Sequence, residues 1–212
     1  MKSVKRNLAV GALLAGSMSV GNVVYAGASG NVAVNSDYLW RGMTQTGHSA
    51  AVSGGLDYEH DSGLYIGTWT SNVAANTEVD FYGGFSKAFG PVEIDLGGIY
   101  YAYPHAGTSW ANFYEVYGGL SAMGLGVTGY YNIESEDIYV SGEYEYEISD
   151  KLKITLSGGA TKSTKDLHYG LTLTKTLAAG DFSATISDTT ADDGTIDAAP
   201  TLVVGYSKEF DF

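Results

Sequence analysis

A chain of 212 residues is long enough to bury one substantial core, so a single domain is expected. Its 29 Gly and 17 Tyr, set against 3 Pro and no Cys, exclude a disulfide scaffold, thiol chemistry and the aromatic-poor composition of a disordered chain. The formal charge of −13 argues against nucleic acid as a partner, because a phosphate backbone calls for a basic surface.

The chain opens MKSVKRNLAVGALLAGSMSVGNVVYA, which reads as a secretory signal peptide over residues 1–26. Lys2, Lys5 and Arg6 precede an apolar stretch from Leu8 to Val20, and Val24-Tyr25-Ala26 places small residues before a cut after Ala26. Cleavage after Ala28 and retention as a membrane anchor are the alternatives, although the apolar run is short and Gly-rich for a span of about 30 Å. The remaining domain, residues 27–212, carries 8 basic against 24 acidic residues, a net charge of −16.

Beyond the leader, period-two alternation is nearly continuous, the signal of β-strands. Twelve strands are predicted, at 31–41, 50–60, 64–72, 78–89, 92–102, 111–121, 124–133, 137–148, 152–161, 166–177, 181–188 and 201–212. In most of them one parity is apolar or Gly. Val79, Phe81, Gly83 and Phe85 alternate with Glu78, Asp80, Tyr82, Gly84 and Ser86, for example.

Connection lengths alternate too. The stretches 42–49, 73–77, 103–110, 134–136, 162–165 and 189–200 are mostly longer than the tight turns between them, such as Gly90-Pro91 and Ala122-Met123. That rhythm predicts a closed antiparallel transmembrane β-barrel of about 12 strands with short periplasmic turns and longer external loops. An eleven-residue strand at about 3.3 Å per residue, tilted about 45°, rises roughly 25 Å, the height of the apolar band. A soluble β-sandwich or lipocalin-like barrel is the competing architecture. Trp40 and Trp110 are placed at the external membrane interface, and Trp69 in the lumen.

On the barrel reading the inward parity is mostly acidic: Asp37, Glu78, Asp80, Glu93, Asp95, Glu115, Glu143 and Glu145, with Arg41, Lys153 and His168 among them. A narrow passage of one charge sign concentrates the opposite sign, which predicts passage of cations or neutral polar solutes. Glu147 and Lys153 are expected to oppose each other across a three-residue turn, Ser149-Asp150-Lys151. The four His are scattered, and neither a Gly-x-Ser-x-Gly elbow nor a His-Glu-x-x-His site occurs, so no catalytic residue, metal or cofactor is assigned.

The last segment, TLVVGYSKEFDF, puts Leu202, Val204, Tyr206, Phe210 and Phe212 on one parity. It is the expected closing strand, pairing with the first so that no edge remains. An alternating strand ending in Phe also looks like the signal read by the barrel assembly machinery, which makes Phe210 and Phe212 assembly candidates.

Residues 36–46, SDYLWRGMTQT, carry a family pattern: Ser-Asp-Tyr, then Arg-Gly, then Gln-Thr. With GLYIGTWTSNV at 63–73, EIDLGGIYYAYP at 93–104 and NFYEVYGGL at 112–120, the chain resembles the TorF-family putative porins, a bacterial family also described as of unknown function. Thr44 stands where that pattern has Ser before the Gln, which preserves the hydroxyl. The resemblance implies an outer-membrane barrel and brings no substrate or catalytic residue. Asp37 and Arg41 are read on one strand, about 13 Å apart, each meeting an opposite charge elsewhere. Arg41 and nearby carboxylates then form either a mixed-charge constriction or an ion network that pins a loop.

The expected function is passive diffusion of small hydrophilic solutes across the outer membrane. The alternatives are a non-conducting structural or ligand-binding barrel, which inward Tyr82, Tyr101, Tyr117, Tyr130 and Tyr139 would plug, and a barrel-embedded hydrolase.

Overall fold

The computed structural model describes residues 27–74, 76–104, 112–191 and 200–212, and the backbone of 10–12 and 18–20. The expected signal peptide cut and Trp110 lie outside the described residues. Twelve strands follow in order: β1 Gly27–Asn35, β2 Ala51–Glu59, β3 Leu64–Val73, β4 Asn76–Phe89, β5 Val92–Ala102, β6 Phe113–Ala122, β7 Leu125–Asn132, β8 Asp137–Ser149, β9 Leu152–Thr161, β10 Leu167–Leu177, β11 Gly180–Thr189 and β12 Thr201–Asp211. Each pairs antiparallel with its sequence neighbours, and β12 pairs with β1 to close the barrel.

Closure follows from backbone chemistry. A sheet in hydrocarbon has no water to satisfy an edge, so the last strand must find the first. Gly205 to Asp211 register against Asn35 to Ser29, and the Phe212 amide donates to the Ala28 carbonyl at 3.0 Å.

The predicted alternation holds across the barrel. Leu56, Ile66, Phe81, Leu96, Leu120, Val140, Leu171 and Leu202 are exposed on the outer face, whereas Ser53, Glu78, Asp80, Glu115 and Ser141 are buried on the inner one. So continuous an apolar exterior suits lipid rather than water. A soluble sandwich, with an apolar core and polar exterior, is the inverse of this arrangement.

Three local expectations are corrected. The first strand runs from Gly27 to Asn35, not 31–41, so Asp37, Trp40 and Arg41 do not belong to it. They belong to the connection between β1 and β2, which folds as a small hairpin of Leu39–Trp40 paired with Met43–Thr44. Between β8 and β9, Glu147 does oppose Lys153, but the turn is the two residues Asp150 and Lys151, with a register shift between Glu147 and Ser149. An extra bulged residue, rather than a longer turn, restores the parity. The ammonium of Lys153 then pairs with Glu145 at 2.9 Å, not with Glu147.

Glycine makes room for aromatics on the inner wall. A Cβ on Gly67 would sit 2.5 Å from the ring of Tyr82, its cross-strand partner. The ring can lie flat across the barrel wall only because position 67 has no side chain.

The closing register yields a direct test in a chain without cysteine. Val32 and Lys208 are paired residues of β1 and β12, on the same face. A Val32→Cys/Lys208→Cys double variant is expected to cross-link on oxidation and shift in electrophoresis. Val32→Cys with Ser207→Cys, whose side chains point to opposite faces, is expected to stay unlinked.

Candidate functional site

The site is the loop end of the lumen, the barrel end where the longer connections lie. Its centre is the hairpin between β1 and β2. The tip is Arg41-Gly42, with φ of 52° and 83°. Two successive residues in the left-handed region are what a two-residue hairpin of type I′ requires. Gly42 is needed for a second reason. A Cβ there would fall 2.7 Å from Cβ of His168 on β10 and 2.9 Å from Cβ of Thr189 on β11. The tip therefore lies directly against the wall formed by β10 and β11.

Asp37 builds the hairpin from within. Its Oδ1 accepts hydrogen bonds from the hydroxyls of Thr44 at 2.6 Å and Thr46 at 2.7 Å, and its Oδ2 lies 3.0 Å from Nδ1 of His48. Thr46 Oγ1 in turn accepts from the Tyr38 amide at 3.1 Å. The expected long-range counter-charge of Asp37 is thus replaced by a partner eleven residues away in its own loop. Thr44 keeps the hydroxyl that the motif calls for.

Three contacts bind the hairpin to the wall. The Arg41 guanidinium donates to both carboxylate oxygens of Glu115 on β6, at 2.8 Å each. It stacks between Trp40 and Tyr139, with its central carbon 4.2 and 4.0 Å from the ring centres, and Tyr130 lies 5.6 Å away. The Tyr38 hydroxyl donates to Glu78 on β4 at 2.7 Å. The Ala74 amide donates to the Gln45 carbonyl at 2.8 Å.

Trp40 is corrected by this geometry. It is not an outward girdle residue; it packs edge-on against Phe113 and beside the inner clusters around Tyr101 and Trp69. An indole beside a guanidinium gains both apolar burial and a cation–π contact, which a lipid-facing position would forgo. Trp69 does face inward, edge-on to Tyr38 with ring centres 5.4 Å apart.

The predicted acidic residues divide into two tiers. At the loop end Glu78, Asp80 and Glu115 are buried together with Tyr101, Tyr103, Tyr130 and Tyr139. Glu78 also accepts from Tyr103 at 2.7 Å, and Glu115 from Tyr101 at 3.2 Å. Toward the short-turn end, Asp95 accepts from Tyr65 at 2.7 Å and Glu93 from Ser86 at 2.7 Å. Asp57 accepts from Tyr82, and the hydroxyls of Tyr65 and Tyr117 touch. Glu143 and Glu145 share the inner parity of β8, and Glu145 holds Lys153. His168 stacks on Tyr139 with ring centres 5.7 Å apart. Phe210 and Phe212 are exposed on the outside of the closing strand.

Tyr38, Gln45 and Thr46 entered the sequence reading only as part of the family pattern, with no contact assigned to them, and neither His48 nor Tyr103 was given a role in the site. The available signal was the Arg-Gly pair, whose glycine suits a hairpin tip, followed by the loss of alternation across residues 42–50.

The hairpin's dependence on Gly42 is measurable. Gly42→Ala places a methyl group at a left-handed φ, costing about 1–2 kcal/mol, and against two side chains of the wall. Trypsin cleavage at Arg41 in the folded protein is expected to accelerate at least about tenfold, because local opening sets the cutting rate. An unchanged rate would place the hairpin's hold elsewhere.

With this geometry in hand, the chain can be set beside known proteins. Solved barrels share the fold. A KdgM porin matches with a TM-score of 0.62 at 11% identity, over 87% of this chain and 99% of that one. KdgM porin in complex with disordered oligogalacturonate gives 0.61 at 10% identity, over 87% and 99%. A NanC porin gives 0.57 at 10% identity, over 85% and 97%. A search of curated proteins finds no match. The family model described as "Bacterial protein of unknown function (Gcw_chp)" matches residues 25–159, which include the hairpin, Glu78, Asp80 and Glu115. The chain therefore belongs to the Gcw_chp family of bacterial proteins, whose description assigns no function.

Proposed function

We propose that this protein is an outer-membrane channel through which small hydrophilic solutes diffuse, with cations preferred. The observation that carries the reading is how the inner carboxylates are satisfied. Glu78, Glu93, Asp95 and Asp57 take hydrogen bonds from tyrosine or serine hydroxyls, which leave the negative charge in place. Arg41 and Lys153 are each committed to a carboxylate of their own. A narrow passage with low-dielectric walls then retains a negative field and gathers counter-ions.

The porin fold supports passage as the role, and the resemblance to the TorF-family putative porins agrees with it. The acidic wall separates this chain from the oligogalacturonate seen with KdgM porin. A polyuronate carries a carboxylate on each sugar, and the lumen here repels it. Longer loops outside and short turns in the periplasm give the orientation. The outward Phe210 and Phe212 make β12 the element that engages the barrel assembly machinery. On that reading, deletion of Phe212 lowers the amount of folded protein in the outer membrane and leaves the unit conductance of what does assemble unchanged.

A second reading has its own support. The hairpin crosses the mouth, and Tyr101, Tyr130 and Tyr139 are buried beneath it, as a plugged, non-conducting barrel requires.

Planar-bilayer recording of the refolded domain separates the two. Single-channel steps with a cation-selective reversal potential are expected; silence from protein proven folded by heat-modifiable mobility would favour the plug. Combined Glu78→Gln, Asp80→Asn, Glu143→Gln and Glu145→Gln substitutions are expected to move the reversal potential toward that of a non-selective pore. No movement would remove these four residues from selectivity.

A further inference from the structure

The loop-end tier buries three carboxylates, Glu78, Asp80 and Glu115, and the Arg41 guanidinium pairs with one of them. Glu115 gives both oxygens to Arg41, and Glu78 takes two tyrosine hydroxyls. Asp80 takes nothing. It lies on β4, opposite Trp69 on one side and Tyr101 on the other, with 0% of its surface exposed and no hydrogen-bond donor on either oxygen. Glu78 lies two residues away on the same face of β4, and Glu115 accepts from Tyr101, the strand neighbour of Asp80.

A buried carboxylate without a donor is costly, and two like charges nearby raise that cost. Elsewhere on this wall the same problem is solved by a Ser or Tyr hydroxyl. What would offset three carboxylates is a second cation beside Arg41. The donor set does not suit a chelated metal, since among the described residues no group of three or more His, Asp or Glu is arranged to hold one. It does suit a flat or compact organic cation. The protein's own guanidinium displays the binding mode: two bonds to Glu115 and a face against Tyr139.

We propose that Glu115, Asp80 and Glu78 form a binding site for a small solute bearing a guanidinium or ammonium group, and that Arg41 is its tethered competitor. Asp80 has no exposed surface while Tyr38 of the hairpin packs on its neighbour Trp69 and bonds Glu78, so solute and hairpin exclude each other. Asp37, Thr44, Thr46 and His48 bond within the loop, so the hairpin can leave as one piece. Binding of the solute thereby opens the mouth. This inference rests on the reading of the lumen as a cation-preferring passage, and it adds the solute class and the device that admits it.

The probe is agmatine, which carries a guanidinium and an ammonium, with N-butylurea as the uncharged control. Agmatine is expected to change tryptophan fluorescence saturably, as Trp40 leaves the Arg41 stack, and to raise channel open time over the same concentration range. N-Butylurea is expected to do neither. Asp80→Asn should weaken the agmatine response at least about tenfold, the scale for losing one partner of a buried charge pair. Arg41→Ala should act in the opposite direction. Removing a competitor that occupies the site for 90–99% of the time tightens apparent affinity about 10- to 100-fold.

Each failure has a distinct meaning. A conducting, cation-selective barrel with no saturable agmatine response, or with Asp80→Asn unchanged, overturns the site and leaves the channel standing. A barrel that never conducts, yet binds agmatine in an Asp80-dependent way, overturns the channel and keeps the site. Weaker binding in Arg41→Ala, from protein that folds normally, overturns the competitor role.

Discussion

The Arg41–Glu115 pair is the constraint on which the loop-end structure depends. It joins residues 74 apart in sequence, and both partners are largely buried, Glu115 almost completely. Removing one side of such a pair typically costs about 3–5 kcal/mol, because the charge left behind has no water to return to. The guanidinium is also held between two aromatic faces, which fixes its plane and therefore the direction of its two hydrogen bonds. A lysine would supply charge without that plane. The tip is thus located against β6 and β8 by chemistry, and against β10 and β11 by the absence of a side chain at Gly42.

The rest of the lumen satisfies its inner carboxylates mostly with hydroxyl donors rather than with cations. A cation partner neutralises; a phenol donates a hydrogen bond and leaves the charge. The barrel uses the second solution at Glu78, Asp57 and Asp95, and tyrosine suits it because the ring reaches a carboxylate one or two strands away along the inner wall, as Tyr103 reaches Glu78, Tyr82 reaches Asp57 and Tyr65 reaches Asp95. The cost is space, met in places by glycine. Tyr82 lies over Gly67 and Tyr139 over Gly159, so part of the abundance of both residue types has a common physical origin.

Much of the barrel was legible because alternation is a local property. Segments such as 92–102 and 152–161 coincide with β5 and β9, since each residue's parity is decided by the medium on its side of the wall. The acidic inner face came from the same rule. The hairpin was not legible by it. Tyr38 and Trp40 continue the even parity of Val32 and Val34, so the run 31–41 reads as one lipid-facing strand. What ends the strand at Asn35 is a set of long-range partners: Glu78 for Tyr38, Glu115 for Arg41 and the Ala74 amide for Gln45. No local pattern encodes those. The bulge after Glu147 escaped for a related reason, since parity constrains where the strands resume but not how the turn adjusts.

The motif that carried the family resemblance can now be read as a folding instruction. Asp37 collects the hydroxyls of Thr44 and Thr46, and the amide of Tyr38 is held by Thr46. Arg41 and Gly42 supply the left-handed tip, one residue for the wall's carboxylate and the other for the wall's closeness. Gln45 offers its carbonyl to β3's end. Most of the motif's residues thus shape the inward-folded hairpin rather than touch lipid. A loop that only had to connect two strands would need none of this, since the ends of neighbouring antiparallel strands can be joined by two residues. Fifteen residues between β1 and β2, bonded inward at both flanks and at the tip, make the width of the mouth a property of the hairpin's position rather than of the strand count.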